Sequence, residues 1–258
     1  MKVVLLCGGK GVRLKEETET KPKPMVEIGG MPILWHIMKI YSSFGFCDFI
    51  LALGYKKNLI KEFFLNYEAM AEDFTIELGK LGQIELHNQH KEKGWRITLV
   101  DTGEDTLKGA RIKQIERYVP DETFMLTYGD GVADIDLTKL LSFHNSHKKI
   151  ATVTAVRPPS RFGEIEAKDG KVISFSEKPQ VSEGLINGGF FVFNRKIFDY
   201  LTEASDCDLE RDALEKLAVL GELMVYEHSG NWECMDTLRD MEHLNYLWKK
   251  GEAFWKVW

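Results

Sequence analysis

The stretch from Lys2 to Glu27 constrains this chain more than any other. It opens with an uninterrupted apolar run, Val3 to Leu6, which predicts a strand buried on both faces. Gly8, Gly9 and Gly11 follow at once, with Lys10 between them and Arg13 just beyond. A buried strand running into a Gly-rich, basic loop lets main-chain N–H groups close on an anion without interference from side chains. Lys21 and Lys23 then alternate with Pro22 and Pro24, and the prolines stiffen the segment so that less ordering entropy is lost when the lysines bind. The stretch reads as a polyphosphate-binding strand and loop. A plain connecting turn would account for the glycines, but it would not need the cations Arg13, Lys21 and Lys23 and two prolines nearby.

Two common phosphate motifs do not fit. Neither glycine–lysine pair is followed by Ser or Thr in the place a G-x-x-x-x-G-K-[ST] loop requires. The dinucleotide fingerprint wants a third glycine where this chain has Leu14.

The run Cys7-Gly8-Gly9-Lys10-Gly11-Val12-Arg13-Leu14, followed by Lys21-Pro22-Lys23-Pro24-Met25-Val26, resembles the signature of the sugar-1-phosphate nucleotidylyltransferases. Glu16-Glu17-Thr18 and the run from Ile33 to Met38 resemble the CTP-using branch of that family, which acts on glucose 1-phosphate. The likeness recurs along nearly the whole chain. Val12 departs from it, standing where the family usually carries Thr, so the loop lacks one hydroxyl. The resemblance implies a Rossmann-like α/β fold of the nucleotide-diphospho-sugar transferase type. That fold is a mostly parallel mixed sheet flanked by helices, here with a helix-rich C-terminal extension. It also implies an Mg²⁺-dependent transfer of a cytidylyl group from CTP to a sugar 1-phosphate, with release of pyrophosphate, and commonly a homo-oligomer.

Bulk properties narrow the partners. The net charge of −6 over 258 residues argues against nucleic acid or an anionic membrane, since binding there rests on Lys and Arg neutralising phosphates. Cys7, Cys47, Cys207 and Cys234 are scattered and form no C-x-x-C pair, which favours free thiols in a reducing cytoplasm over disulfides or zinc. The opening apolar run is too short for a secretory leader. No stretch approaches the ~18 apolar residues of a membrane span.

Further along, apolar spacing predicts a helix from Ile33 to Phe44, a strand over Phe49–Leu53 and a helix from Lys57 to Asn66. This alternation is that of a doubly wound parallel sheet. His36, alone on an apolar helix face, reads as a packed core residue, and His87 and His90 as surface residues. Phe74 to Gly94 reads as an antiparallel hairpin, and Trp95 to Val100 as a strand running towards Thr102 and Gly103. Gly109 to Tyr118 reads as a helix with Arg111 in its first turn.

Phe124 to Tyr128 is an apolar strand ending at Gly129-Asp130-Gly131. A carboxylate flanked by glycines at a strand's carboxyl end is where an open α/β sheet places ligand chemistry. A turn aspartate is the plainer alternative. Asp136 reads as the N-cap of the next helix. Two glycines at 188 and 189, ahead of a bulky strand, suggest close approach by a ligand, with Asn187 placed to bond a hydroxyl. Asp208 to Asp212 precedes an apolar helical pattern ending at Gly221. The tail, with Trp248, Phe254, Trp255 and Trp258, should dock on the body or on a neighbouring subunit.

The resemblance assigns roles to these positions. It implies Asp130 and Asp236 as metal ligands, Arg13 and Lys23 on the nucleotide phosphates, and backbone from Leu6 to Gly11 with Gly129 around the nucleotide. It also implies that the Thr102–Gly103 segment closes over the nucleotide, with Arg111 on its phosphates. Lys178 would hold the sugar phosphate, and Glu177, Asn187 and Gly188 the sugar. No repeat or flexible linker interrupts the chain, which reads as one domain over 1–258. Residues 1–130 would serve mainly the nucleotide, 131–240 mainly the sugar phosphate, and 241–258 form the aromatic tail. A glycosyltransferase would want a D-x-D at a strand end, which the sequence does not show as a strand terminus. A non-catalytic nucleotide sensor would tend to lose Lys23 or a metal carboxylate, and both are present.

Overall fold

The sheet grows outwards from its first strand in both directions. The computed structural model describes residues 1–79, 84–88, 90–158, 164–168, 171–176 and 184–258. In chain order the main strands are β1 (Lys2–Cys7), β2 (Asp48–Leu53), β3 (Arg96–Asp101), β4 (Thr123–Tyr128), β5 (Ala151–Val156), β6 (Phe191–Asn194) and β7 (Leu223–His228). Laid side by side they run β7-β5-β6-β4-β1-β2-β3. β1 pairs in parallel with both β2 and β4, β2 with β3, and β5 with β7. β6 is antiparallel to its neighbours β4 and β5. This is the mixed, mainly parallel sheet that the sequence implies.

Strand β1 carries the logic of the core. Val3, Leu5 and Cys7 face one layer, while Val4 and Leu6 face the other. Helix α1 (Ile33–Ser43) covers the first layer with Ile33, Leu34, Ile37, Met38, Ile40 and Tyr41, all fully buried. Each such side chain contributes about 1.5–3 kcal/mol of burial. The helix stops at Gly45, whose φ of +83° suits a residue without Cβ. The second layer is covered by α3 (Lys108–Gln114) and the 207–217 segment, while α2 (Lys57–Leu65) joins α1 on the first layer through Ile60. α3 is shorter than its apolar spacing predicts; the chain tightens to a 3₁₀ turn at Glu116–Tyr118. After β1 the chain builds β2 and β3 on one side and then crosses to β4 on the other. The carboxyl ends of β1 and β4 therefore flank a switch point, where such sheets hold ligands.

The Phe74–Gly94 excursion carries the expected antiparallel pair, Phe74–Ile76 with Ile84–Leu86. His87 is exposed as expected. His90 is not a plain surface residue: it is half-buried, 3.6 Å from Glu68 and 3.7 Å from Glu92. Asp136 does cap α4 (Leu137–His147), accepting from Lys139 N at 2.9 Å.

The aromatic tail docks on the body. After α5 (Leu238–Lys250), Trp255 is fully buried against His36, with Trp248 and Trp258 also around that imidazole. Trp255 Nε1 donates to His36 Nδ1 at 3.3 Å, so Nε2 carries the proton and donates to Ile28 O at 2.8 Å. Burial pushes the His36 pKa down from 6.5 to about 4. His144, also buried, falls to about 4. In the interval from 6.5 down to about 4 the unfolded chain binds the proton and the folded chain does not. Stability is therefore complete above pH 6.5 and declines towards pH 4, by an order of 3 kcal/mol per histidine. A His36→Phe variant should lose its denaturation midpoint less steeply than the parent between pH 6.5 and 4.5, as read by urea unfolding at a series of pH values.

Candidate active site

Three separate parts of the chain converge on one ammonium group. Lys23 lies in a 3₁₀ turn, Lys23–Met25, started by Pro22 in extended geometry with Pro24 at the second position. Its Nζ donates to Asp130 Oδ2 at 2.6 Å and to Asp236 Oδ1 at 2.5 Å. Arg13 Nη1 takes the other oxygen of Asp236 at 2.7 Å. Asp130 follows β4 directly. Asp236 is brought beside it by a short antiparallel pairing of Trp232–Cys234 with Gly131–Ala133, and by Met235 N donating to Asp130 O at 2.9 Å.

Two carboxylates balanced by two cations make a cluster of roughly zero net charge. Lys23 is only 8% exposed, and burial alone would lower its pKa. The charge of Asp130 and the hydrogen bonds to both aspartates outweigh burial, so its pKa is raised and it stays an ammonium.

Asp130, Asp236 and Cys234 bring one ligand atom each to within 4.8 Å of one another, a possible metal site. Burial, with the charge of Asp130 next, holds the Cys234 thiol well above its usual range. The donors on offer are therefore carboxylate oxygens, a set suited to a hard divalent cation.

The glycine loop sits at the end of β1 as expected. Gly9 has open space around it and Val12 is 64% exposed, so this part of the loop is accessible. Leu6 and Cys7 are buried beneath it, and Gly11 packs on Thr18 and Lys23. Lys10 pairs with Asp105 at 2.6 Å across the cleft mouth. Lys21 turns away to Glu17 and Glu27, at 3.5 Å from each. Gly129 lies against Leu6 O and Pro24, which leaves no room for a Cβ.

Arg111 departs from expectation. It is 4% exposed, and its two terminal nitrogens donate to five acceptors. Nη1 meets Leu53 O at 3.1 Å, Thr102 Oγ1 at 2.8 Å and Gly103 O at 2.6 Å. Nη2 meets Gly8 O and Glu104 O, each at 3.1 Å. The guanidinium thus ties together the loops that follow β1, β2 and β3, and burial lowers its pKa. A Cβ on Gly8 or Gly54 would collide with it. In this conformation its donors serve the protein's own carbonyls, with none of the four terminal N–H groups left for a phosphate. Thr102 is equally occupied, its hydroxyl donating to Leu53 O at 2.7 Å.

On the sugar side, Asn187 is exposed and Gly188 is buried, with Gly188 O accepting from Trp232 Nε1 at 2.8 Å. Glu177 and Lys178 lie outside the described residues. A D-x-D does follow a strand after all: Asp134-Ile135-Asp136 comes directly after Gly131–Ala133. It is committed to structure, because Asp134 holds Asn231 and lies 2.9 Å from His228, while Asp136 caps α4. Residues that the sequence did not single out also line this end of the sheet. Tyr128 OH donates to Glu210 at 2.8 Å and accepts from Asn187 Nδ2 at 2.9 Å, and Lys108 pairs with Glu210.

A family described as nucleotidyl transferase matches residues 2–248. The chain belongs to this nucleotidyl transferase family, and it is an enzyme of that class. It is 51% identical over 259 residues to a glucose-1-phosphate cytidylyltransferase of Salmonella typhimurium, covering 100% of both chains. It is 31% identical over 220 residues to a D-glycero-alpha-D-manno-heptose 1-phosphate guanylyltransferase of Aneurinibacillus thermoaerophilus, covering 84% of each. Its fold is similar to that of HddC from Yersinia pseudotuberculosis complexed with GMP-PN, at a TM-score of 0.70 and 22% identity, covering 96% of this chain and 99% of that one. Among the described residues no helix is long and apolar enough to cross a membrane.

Arg111→Met removes five hydrogen bonds and leaves buried carbonyls without donors. Unfolding stability should drop by about 3 kcal/mol or more. Unchanged thermal and urea midpoints would instead assign Arg111 to solvent or ligand alone.

Proposed function

We propose that this enzyme transfers the cytidylyl group of CTP to α-D-glucose 1-phosphate, giving CDP-glucose and pyrophosphate. The full-length identity of 51% to a relative named for that reaction carries the choice of substrates. The convergence of Lys23, Arg13, Asp130 and Asp236 carries the chemistry. Such a reaction supplies activated glucose for deoxysugar and surface-polysaccharide synthesis.

The sugar phosphate is its own nucleophile. One of its oxygens attacks the α-phosphorus of CTP in line, a new P–O bond forms, and the bond to the β-phosphate breaks with its electrons leaving on pyrophosphate. The protein supplies no covalent nucleophile; positioning and charge neutralisation are its contribution. Lys23 serves the α-phosphate, where negative charge builds, and Arg13 the departing β,γ-phosphates. Both cations now rest on carboxylates and can exchange them for phosphate oxygens. Backbone from Leu6 to Gly11, with Gly129, frames the nucleotide, and Thr102, Gly103 and Arg111 shape its far wall. Lys178 receives the sugar phosphate, and Glu177, Asn187 and Gly188 the sugar. Asp130 and Asp236 would hold Mg²⁺, which when bound neutralises phosphate charge as a Lewis acid. Two protein carboxylates are about as many as a phosphate-bound Mg²⁺ takes.

The chain acts as one domain, with residues 1–130 serving mainly the nucleotide, 131–240 the sugar phosphate and the 241–258 tail bracing both. It works in the cytoplasm, where the free thiols Cys7, Cys47, Cys207 and Cys234 stay reduced, and as a homo-oligomer.

The test is pyrophosphate release from each of the four NTPs with Mg²⁺ against a panel of sugar 1-phosphates. Release with CTP and glucose 1-phosphate at a rate well above every other pair is expected. Release chiefly with another pair would keep the chemistry and discard the substrates. Lys23→Ala should lose about a hundred- to thousandfold in kcat while the Kd for CTP changes several-fold at most. An affinity loss with kcat unchanged would remove Lys23 from the transition state.

A further inference from the structure

The segment that follows Cys207 makes an unusual turn. Asp208 caps it, accepting from Glu210 N and Arg211 N at 3.1 Å each, and Leu209–Leu214 then winds as a π-helix. Such wide turns recur at functional sites. This one is pressed against the start of α3. Leu107 N donates to Ser205 O at 2.7 Å and Ala110 N to Cys207 O at 3.1 Å. Gly109 permits the approach, since a Cβ there would lie 2.9 Å from Cys207 O. The outcome is that Glu210 meets Lys108 and Tyr128 at the carboxyl end of β4, two residues before Asp130.

The hydrogen bonds there have only one possible direction. A carboxylate accepts and cannot donate, so the Tyr128 O–H must point at Glu210 Oε1, 2.8 Å away. The phenol oxygen is then free to accept, and it takes one N–H of Asn187 Nδ2 at 2.9 Å. At the other end of the amide, Asn187 Oδ1 accepts from Gly189 N at 2.9 Å. The amide can be turned only one way round. Lys108 closes the far end, paired with Glu210 and 5.2 Å from the Tyr128 ring centroid. Burial, with the charge of Glu210 next, pushes the Tyr128 hydroxyl above its ordinary range, so the phenol remains a donor throughout the working pH range.

We propose that Glu210 is a positioning residue for sugar recognition: through Tyr128 it presets the rotamer and amide orientation of Asn187, so that the sugar 1-phosphate meets a hydrogen-bonding group already aimed at one of its hydroxyls. This rests on the reading above that Asn187 faces the sugar. The remaining N–H of Nδ2 and the second lone pair of Oδ1 are the groups left for that hydroxyl. Pre-orientation matters because a freely rotating amide loses rotamer entropy on binding and offers the wrong end half of the time. Lys108 belongs to α3, the helix whose Arg111 fixes the nucleotide-side loops. The same relay therefore joins the two halves of the cleft.

The test uses steady-state kinetics on the full-length enzyme, varying each substrate in turn, with Tyr128→Phe, Glu210→Ala, Glu210→Gln and Asn187→Ala. Tyr128→Phe removes one oxygen and keeps the ring. It should raise KM for glucose 1-phosphate about five- to tenfold, as expected for one oriented hydrogen bond, with KM for CTP and the thermal midpoint nearly unchanged. Glu210→Ala should match it, and the double variant should be no worse than either single, since the residues act as a unit. Glu210→Gln keeps an acceptor and should recover most of the loss. With 2-, 3-, 4- and 6-deoxyglucose 1-phosphates, the Tyr128→Phe penalty should disappear for one analogue, the one lacking the hydroxyl that Asn187 holds.

An equal rise in KM for both substrates, or the same penalty for every analogue, would overturn the relay. If Asn187→Ala raises the sugar KM but Tyr128→Phe does not, the relay falls while the sugar site stands. If Asn187→Ala itself changes nothing, both fall together.

Discussion

Without Lys23, Asp130 and Asp236 would face one another across less than 5 Å with only Arg13 between them and solvent. Like charges so close repel one another strongly. The ammonium of Lys23 removes that repulsion, and the three-way contact fixes segments that are 107 and 213 residues apart in sequence from Lys23. The same arrangement suits a polyphosphate reaction. A triphosphate brings negative charge, its accompanying cation brings positive charge, and the resting ion pairs can be exchanged for new ones without any charge being left buried and unpaired.

The two buried cations of the cleft are stabilised in opposite ways. Lys23 is held by full charges, Arg111 by the partial charges of four carbonyls and one hydroxyl. A carbonyl-solvated guanidinium gains less from each partner, but its planar fork can reach several loops at once. That is why a residue whose family resemblance suggests phosphate binding serves here as the tie between Gly8, Leu53 and Gly103. The tie holds the loops that follow β1, β2 and β3 in one arrangement.

Much of this was legible in the sequence. An apolar run followed by glycines and cations, and a glycine-flanked aspartate at the end of a second apolar strand, gave the sheet and two sides of the cleft, because buried strands and glycine loops are local signals. The aromatic content of the tail called for a docking partner, the body or a neighbouring subunit, and the fold supplies the body. What was not legible depends on groups that carry no sequence identity. The partners of Arg111 are mostly main-chain carbonyls, which every residue possesses, so no pattern announces them. Glu210 sits in what reads as the first turn of an ordinary helix. Only the π-helical winding and the close approach at Gly109 turn it towards Tyr128, and its partners lie at positions 108 and 128, about 80 to 100 residues upstream in sequence. His90 was misjudged for a similar reason: its carboxylates, Glu68 and Glu92, meet only once the excursion folds back.

The C-terminal helix explains why the tail matters to the chemistry. Asp236 stands just before α5, whose first turn is locked by a capping box between Thr237 and Asp240, and Asp240 also accepts from Asp236 N at 3.0 Å. Two turns further on, Asn245 clasps the short antiparallel strand pair Glu27–Ile28 and Met31–Pro32 that follows Lys23, donating to Glu27 O at 3.1 Å and accepting from Gly29 N at 2.9 Å. Beyond the helix, Trp255 bonds His36, which bonds Ile28 O in that same strand pair. One rigid helix therefore presents a carboxylate at its start and grips, from its far end, the segment that bears the lysine answering that carboxylate. A misplacement of about 1 Å at a reacting group costs orders of magnitude in rate. The aromatic cluster thus helps hold the segment that carries Lys23, and with it the spacing between Lys23 and Asp236.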